Sequence, residues 1–264
     1  MRTIQQLMNL SGRTALVAGG AGHLGRAACE TLVEMGARVA VLDRRAVDGQ
    51  AAVKELPPGS AIALAADLAD EKSTRRAVRE AVRALGGLDI LIHAAAFVGT
   101  TKRSGWAVPI QRQTSKAFEA ALNVNLTSAF TLTQEAAPAL TRSGRATIIF
   151  FSSIYGSVGS DSSLYEGTVL ANPAGYGASK GGLNQLTRHF ATVLAPRVRV
   201  NSISPGGVLR GHTKTFISRY SRRTPLRRLA VEEDVKGAVA YLASDLSAYV
   251  TGHDLRVDGG WTAW

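Results

Sequence analysis

The chain holds one cysteine, Cys29, in 264 residues, so it can form no internal disulfide. Cys29 lies in the apolar pattern AACETLVEMG, which assigns it to the core and not to a reactive thiol. No apolar run approaches the roughly 20 residues that cross a bilayer. The opening MRTIQQLMNLSGR lacks the apolar core and small-residue cleavage site of a secretory signal. A cytoplasmic protein with no membrane contact is the expectation these absences leave. Acidic residues are missing from one whole segment. Between Gly167 and Val231 there is no Asp or Glu but there are eleven Lys and Arg, which matches the entire formal charge of +11. The basicity is therefore local: an anionic partner would meet the C-terminal third, and a solvated basic surface is the plain alternative. Nucleic-acid binding would need a continuous basic face with stacking aromatics. The Arg-rich stretch 210–228 offers only Phe216 and Tyr220, so no nucleic-acid partner is expected.

What is present is an ordinary 45% apolar content, enough for a sizeable core, arranged as short apolar strands alternating with longer helical patterns. TALVAGG, ARVAVLD, LDILIHAAA, ATIIFFSS, VRVNSISP and GHDLRVDGG read as strands. LGRAACETLVEMG, DEKSTRRAVREAVRALGG, TSKAFEAALNVNLTSAFTLTQEAAPAL, YGASKGGLNQLTRHFATVLA and VEEDVKGAVAYLAS read as helices. Runs such as DILIHA are apolar throughout, as a parallel sheet covered on both sides requires. The expected fold is α/β, a Rossmann-type doubly wound parallel sheet in one domain spanning 1–264. There is no linker, low-complexity segment or internal repeat. Residues 210–228 read as a mobile loop or a short helical excursion over a site.

Two stretches carry chemistry. VAGGAGHLG follows the first strand and opens the first helix, and Gly20, Gly22 and Gly25 satisfy G-x-G-x-x-G. Such a turn lets a pyrophosphate approach the backbone at the positive end of a helix. Asp43 closes the second strand eighteen residues after Gly25, placed to accept hydrogen bonds from both ribose hydroxyls and to repel a 2′-phosphate. This favours NAD over NADP, although Arg44 and Arg45 could neutralise that phosphate. The second stretch is FSSIYGSVGSDSSLYEGTVLANPAGYGASK. Of its tyrosines only Tyr176 has a lysine four residues later, so that Tyr176 and Lys180 share one helical face. A phenol ionises near about 10. A neighbouring ammonium lowers that value, and a tuned tyrosine can exchange a proton with an alcohol oxygen while a serine hydroxyl holds it.

Taken in order, the glycine turn, ADLAD, NVNL, SS, YGASK, NSISPGGV and TGHDLRVDGG resemble the short-chain dehydrogenase/reductase family over nearly the whole chain. The resemblance implies a catalytic set of Asn125, Ser153, Tyr176 and Lys180 and no metal. Tyr176 would be the acid/base and Ser153 would polarise the carbonyl. Lys180 would lower the Tyr176 pKa and bind the nicotinamide ribose. Asn125 would shape its helix and hold a water relaying protons from Lys180. NAD, or else NADP, would lie along Gly19, Ala21, Gly22, His23, Leu24 and Gly25, then Asp43 and Arg44, then Asp67 and Leu68, then Ala94, Ala95 and Ala96. Pro205, Gly206 and Val208 would clamp the nicotinamide end. A homotetramer built on helices around 115–140 and 176–195 is also implied. Departures are Ala18 for a customary Thr, His23 for a Gly, HAAA at 93–96 for Asn-Asn-Ala-Gly, and Arg210 for a Thr. His93 reads as a satisfied core histidine.

The gap between Ser153 and Tyr176 is longer than most members have. With SSIYG and YEGT it resembles a sub-branch linked to flagellin and nonulosonic-acid sugar biosynthesis. The insert should lie beside the active site and offer Tyr155, Tyr165 and Glu166 to a polyol, or Tyr165 packs the loop down. The substrate loop at about 207–228 carries Arg210, Lys214, Arg219, Arg222 and Arg223, and a guanidinium fork suits phosphate or carboxylate. Arg228, in TPLRRL, reads as structural. The expectation is NAD(P)-dependent interconversion of a secondary alcohol and a carbonyl on a hydroxyl-rich anionic sugar derivative. A general ketone or 3-oxoacyl reductase and a non-catalytic cofactor sensor are the alternatives.

Overall fold

A computed structural model describes residues 1–99, 101–168 and 171–264. A short helix, α1 (Ile4–Met8), is opened by a Thr3–Gln6 capping box. There follow β1 (Thr14–Ala18), α2 (His23–Glu34), β2 (Arg38–Asp43), α3 (Ala46–Lys54), β3 (Ala61–Ala65), α4 (Glu71–Leu85) and β4 (Ile90–His93). The second half runs α5 (Ser115–Leu122), α6 (Ser128–Ser143), β5 (Ala146–Phe151), α7 (Ala174–Val193), β6 (Val198–Pro205), α8 (Lys214–Arg223), α9 (Lys236–Ala243) and β7 (Asp254–Val257). Local chemistry sets the ends. The Asp70 side chain caps α4 by accepting from Lys72 N, and Gly86 closes the helix in the left-handed region at φ +79°.

All seven strands are parallel, in the order β3-β2-β1-β4-β5-β6-β7. Parallel neighbours need crossovers, and the helices of those crossovers cover both faces. Strand residues alternate between the two layers. Leu16, Ala18, Leu91, Ile148 and Phe150 pack under α4, α6 and α7. Ala15, Val17, Ile90, Ile92 and Ile149 pack under α2 and α9. Cys29 is buried in the second layer, as its apolar pattern implies. The strand order reverses between β1 and β4, which opens a crevice at the carboxyl ends of the strands, the usual ligand position in such sheets.

One segment differs in detail from its sequence pattern. The long helical pattern around 115–140 is interrupted between α5 and α6 by a π-helical turn, Asn123–Thr127, centred on Asn125. Of the two readings of 210–228, the helical one holds: Lys214–Arg223 is α8, opened by Thr213, which accepts from Phe216 N. The insert between Ser153 and Tyr176 has two short 3-10 turns, Ile154–Gly156 and Ser162–Tyr165, and its residues 169–170 lie outside the described residues.

Candidate active site

The crevice is an open cleft of about 1330 Å³. That exceeds the roughly 300–1,000 Å³ of a single small-ligand site, as a dinucleotide and a substrate together would require. At one end lies the glycine turn. Gly19 has φ +79°, and a Cβ there would lie 2.5 Å from Ala95 N. A Cβ on Gly25 would lie 2.0 Å from Gly19 O, so helix and turn touch backbone to backbone. Gly22 caps α2 with no side-chain hydrogen bond, leaving the first amides of the helix to a ligand. Ala18 lacks the customary hydroxyl, but the turn is tied elsewhere: Ala21 N donates to Asp43 Oδ2 at 3.0 Å and Gly22 N to Gly19 O at 3.0 Å. Asp43 Oδ1 also accepts from Arg44 N at 2.8 Å. His23 is exposed beside Glu232, at 3.4 Å.

The cleft wall includes Gly19, Gly22, His23, Leu24, Gly25, Asp43, Arg44, Asp67, Leu68 and Ala94–Ala96, then Ser153, Tyr176, Lys180, Pro205, Gly206 and Val208. The fold thus brings the expected cofactor positions to one surface. Ala21 stands behind it, with its amide on Asp43. Glycines in the turn, an open helix N-terminus and a carboxylate closing β2 suit the pyrophosphate and ribose of a nicotinamide dinucleotide.

At the other end Ser153 follows β5, while Tyr176 and Lys180 project from the first turns of α7. Tyr155 N donates to Ser153 Oγ at 3.2 Å, which leaves the Ser153 hydroxyl proton to the Tyr176 oxygen or to a bound ligand. Burial raises the Tyr176 pKa above its ordinary value, and a hydrogen bond with Ser153 works the other way. Burial also brings Lys180 down to about 7. Lys180 Nζ donates to Phe151 O at 2.6 Å and lies 5.7 Å from the centroid of the Tyr176 ring. The expected lowering of Tyr176 by Lys180 is thus not what prevails here, because desolvation acts on both groups. Asn125 is fully engaged. Its Oδ1 accepts from Phe97 N at 2.6 Å, and its Nδ2 donates to Phe97 O at 3.3 Å and Ser179 Oγ at 3.0 Å. Its side chain therefore binds the loop after β4 to α7.

His93 is buried but only half satisfied. The one proton of Ser128 Oγ goes to Val124 O at 2.7 Å, so His93 Nε2 must donate to that oxygen, at 2.8 Å. His93 Nδ1 is left with no partner. Burial first, then Lys180, pushes the His93 pKa down to about 3.

The candidate substrate residues divide. Tyr155, Tyr165 and Arg210 line the cleft, whereas Lys214, Glu166, Arg219, Arg222 and Arg223 are not among its described lining residues. Arg210 is paired with Glu232 at 2.8 Å. Arg219 donates to Glu166 O at 2.7 Å, and Arg223 pairs with Asp161 at 2.7 Å and lies 5.1 Å from the centroid of Trp261. These two arginines fasten α8 to the insert. Tyr165 packs on Phe216, 5.6 Å between centroids, so it both secures the loop and faces the cleft. Arg228 holds Asp234 with two hydrogen bonds, a structural role. Sequence reading missed Phe97, Arg103, His212 and Phe216, which also line the cleft. Phe97 and Arg103 stand in a segment without periodicity or motif, whereas His212 and Phe216 lie in the stretch that the sequence places over the site without singling them out as site residues.

Comparison with known proteins fits this architecture. Residues 19–262 match a family model described as enoyl-(acyl carrier protein) reductase. A tropinone reductase homolog from Arabidopsis thaliana is 34% identical, covering 96% of this chain and 94% of the relative. A probable galactose dehydrogenase from Rhizobium meliloti is 32% identical, with 97% of each chain covered. Among solved structures, a putative short-chain alcohol dehydrogenase from Sinorhizobium meliloti 1021 superposes with a TM-score of 0.84 at 31% identity, covering 97% of this chain and 99% of the other. A putative gluconate dehydrogenase from Agrobacterium tumefaciens gives a TM-score of 0.87 at 28% identity, covering 98% and 99%.

Proposed function

The chain belongs to the short-chain dehydrogenase/reductase family of oxidoreductases, and from that premise we propose that it interconverts a secondary alcohol and a carbonyl with NAD, or else NADP, as the hydride carrier. The observation that carries the reading is the convergence of Ser153, Tyr176 and Lys180 at the carboxyl end of the sheet, in the same cleft as the glycine turn and Asp43. When bound, the nicotinamide would supply or accept the hydride. Ser153 would turn its hydroxyl proton from Tyr176 to the substrate oxygen in a hydrogen bond. Tyr176 would give that oxygen a proton during reduction or take one during oxidation. Lys180, with one N–H on Phe151 O, would turn its remaining donors toward the ribose and the phenol. Asn125 would act by fixing Phe97 and the floor of the substrate end, and the relay of protons through a water beside it belongs to this proposal as well.

Asp43 supports NAD, since its carboxylate closes β2 on the cleft wall, where it would meet the adenosine ribose and repel a 2′-phosphate. The insert, α8 and the turn before it form an aromatic wall of the cleft, with Tyr155, Tyr165 and Phe216 on it and His212 stacked on Phe216. Hydroxyls from Tyr155 and Tyr165 together with Arg210 support a hydroxyl-rich, anionic sugar derivative. Relatives named for galactose and gluconate are consistent with it. A homotetramer through the helices around 115–140 and 176–195 is part of the proposal, and Phe130 and Val193 stand exposed on those helices. Cytoplasmic residence is proposed too; among the described residues no helix is long and apolar enough to cross a membrane.

The test is a panel of sugar phosphates, nucleotide sugars, sugar acids and neutral ketones with NAD or NADP, following absorbance of the reduced nicotinamide. Turnover of the polar anions with NAD is expected. Equal turnover of neutral apolar ketones would overturn the substrate class, and full turnover by Tyr176→Phe would revive the cofactor-sensor reading.

A further inference from the structure

The cations of the substrate end are not equivalent. Arg210 is held by Glu232, Arg219 and Arg223 are bound to the insert, and Lys180 is buried on Phe151 O. Two arginines of the cleft wall have no carboxylate within ion-pair distance among the described residues: Arg44, at the cofactor end next to Asp43, and, at the substrate end, Arg103 in the loop after β4. Its guanidinium carbon lies 5.9 Å from the centroid of the Phe97 ring. Phe97 in turn packs in one apolar cluster with Trp106 and Tyr176, so this cation stands on the wall that carries the reacting phenol.

The described residues around Arg103 are held by a set of hydrogen bonds. Both backbone polar groups of Phe97 are gripped by Asn125. Val98 O accepts from Trp106 Nε1 at 2.8 Å, and Val98 N donates to Thr101 Oγ1 at 2.9 Å. Trp106 is fully buried, and its backbone N donates to Arg103 O at 3.3 Å. Gly105, at φ +71°, lies against Thr114, where a Cβ would meet Oγ1 at 2.6 Å. The backbone carrying Arg103 is therefore pre-set on both sides of the residue, and a charged contact on a pre-set element loses little on binding.

We propose that Arg103 is the specificity-determining cation of this site and takes the carboxylate or phosphate of the substrate by a guanidinium–oxyanion fork. The assignment rests on the oxidoreductase reading above and deepens it. The stretch 207–228, despite its seven cations, then acts as wall and fastening, and the anion contact comes from the loop after β4. A planar fork with paired N–H donors matches either oxyanion, whereas a lysine would supply only a point charge.

The test uses full-length protein saturated with NADH and isothermal titration calorimetry with three matched polyols: sorbitol, gluconate and sorbitol 6-phosphate. Wild type should bind one or both anions at least tenfold more tightly than sorbitol, and the stronger anion names the oxyanion. Arg103→Gln should lose that preference by at least tenfold, and Arg103→Lys should recover part of it. Lys102→Gln, one residue away and outside the described cleft lining, should leave it in place. Two results would overturn the assignment: neither anion binding better than sorbitol, or Lys102→Gln losing as much as Arg103→Gln. If the protein binds neither NADH nor NADPH, the oxidoreductase reading itself falls. If NADH binds and Arg103→Gln keeps the anion preference, only the Arg103 assignment falls.

Discussion

Burial brings the Lys180 ammonium to about 7 against an ordinary 10.5, and such a shift is also a statement about stability. The unfolded chain keeps this proton up to about 10.5 and the folded chain only up to about 7. Below pH 7 both states are charged and the penalty of burying the charge is complete. The penalty fades as pH rises from about 7 to about 10.5. The stability gap between wild type and Lys180→Met should therefore change by on the order of 3–5 kcal/mol between pH 6 and pH 10.5, in favour of wild type at high pH. Urea unfolding at several pH values measures it, and a gap independent of pH would contradict the burial argument. Asp43 is the residue for cofactor choice. Asp43→Ala should weaken NAD binding about tenfold or more and narrow its preference over NADP, read by fluorescence titration of the two reduced cofactors. At this scale the sequence is most legible where a spacing encodes chemistry: Tyr176 with Lys180 four residues on, or Gly20, Gly22 and Gly25 before a helix. It is least legible where burial decides. Neither the unpartnered Nδ1 of His93 nor the upward shift of Tyr176 can be read from neighbours in the chain.

The insert after Ser153 and α8 behave as one element. Asp161–Arg223 and Arg219 on the carbonyl of Glu166 join them outside the described cleft lining, and Tyr165 on Phe216 joins them on the cleft wall. Behind them Tyr220 stacks on Trp261 at 4.2 Å, and the Tyr220 hydroxyl accepts from Gly207 N at 2.5 Å. A Cβ on Gly207 would come within 2.7 Å of the Tyr220 ring, which ties the SPGGV loop to the same support. A surface ion pair such as Asp161–Arg223 contributes about 0.2–1 kcal/mol, and a single surface hydrogen bond such as that of Arg219 about as much. The double variant Asp161→Asn with Arg219→Ala should thus shift Tm by less than about 4 °C. It should nevertheless raise the rate of proteolytic cleavage within 157–168 by about tenfold, and raise KM more than it lowers kcat. Limited proteolysis and steady-state kinetics check this; unchanged cleavage would mean that the two segments are held independently. The strands were legible because unbroken apolar runs have few other places to go in a covered sheet. The π turn at Asn125 and the fastening role of Arg219 and Arg223 were not, because each depends on partners from distant parts of the chain.

Across the whole molecule only part of the local excess of positive charge is buried or paired, and Arg188, Arg197, Lys214, Arg222 and Arg227 stay exposed. Arg199 is half-buried on the carbonyls of Leu242, Ser244 and Val250, and its pKa falls to about 10 through burial. Arg188 lies on Gln185, Arg210 on Glu232, Arg223 on Asp161 and Arg228 on Asp234. A charge count alone could not separate this from an open basic face. Assembly is tested at the same scale: sedimentation should give four times the 27.8 kDa chain, and Phe130→Glu with Val193→Glu should shift it to smaller species. The central claim, that a buried phenol beside Ser153 and Lys180 exchanges the proton of an alcohol–carbonyl pair, comes down to Tyr176→Phe compared with wild type on the best substrate of the panel. The account predicts a fall in kcat of about 10²–10⁴-fold with the cofactor Kd unchanged. Retention of wild-type kcat with cofactor bound would contradict it.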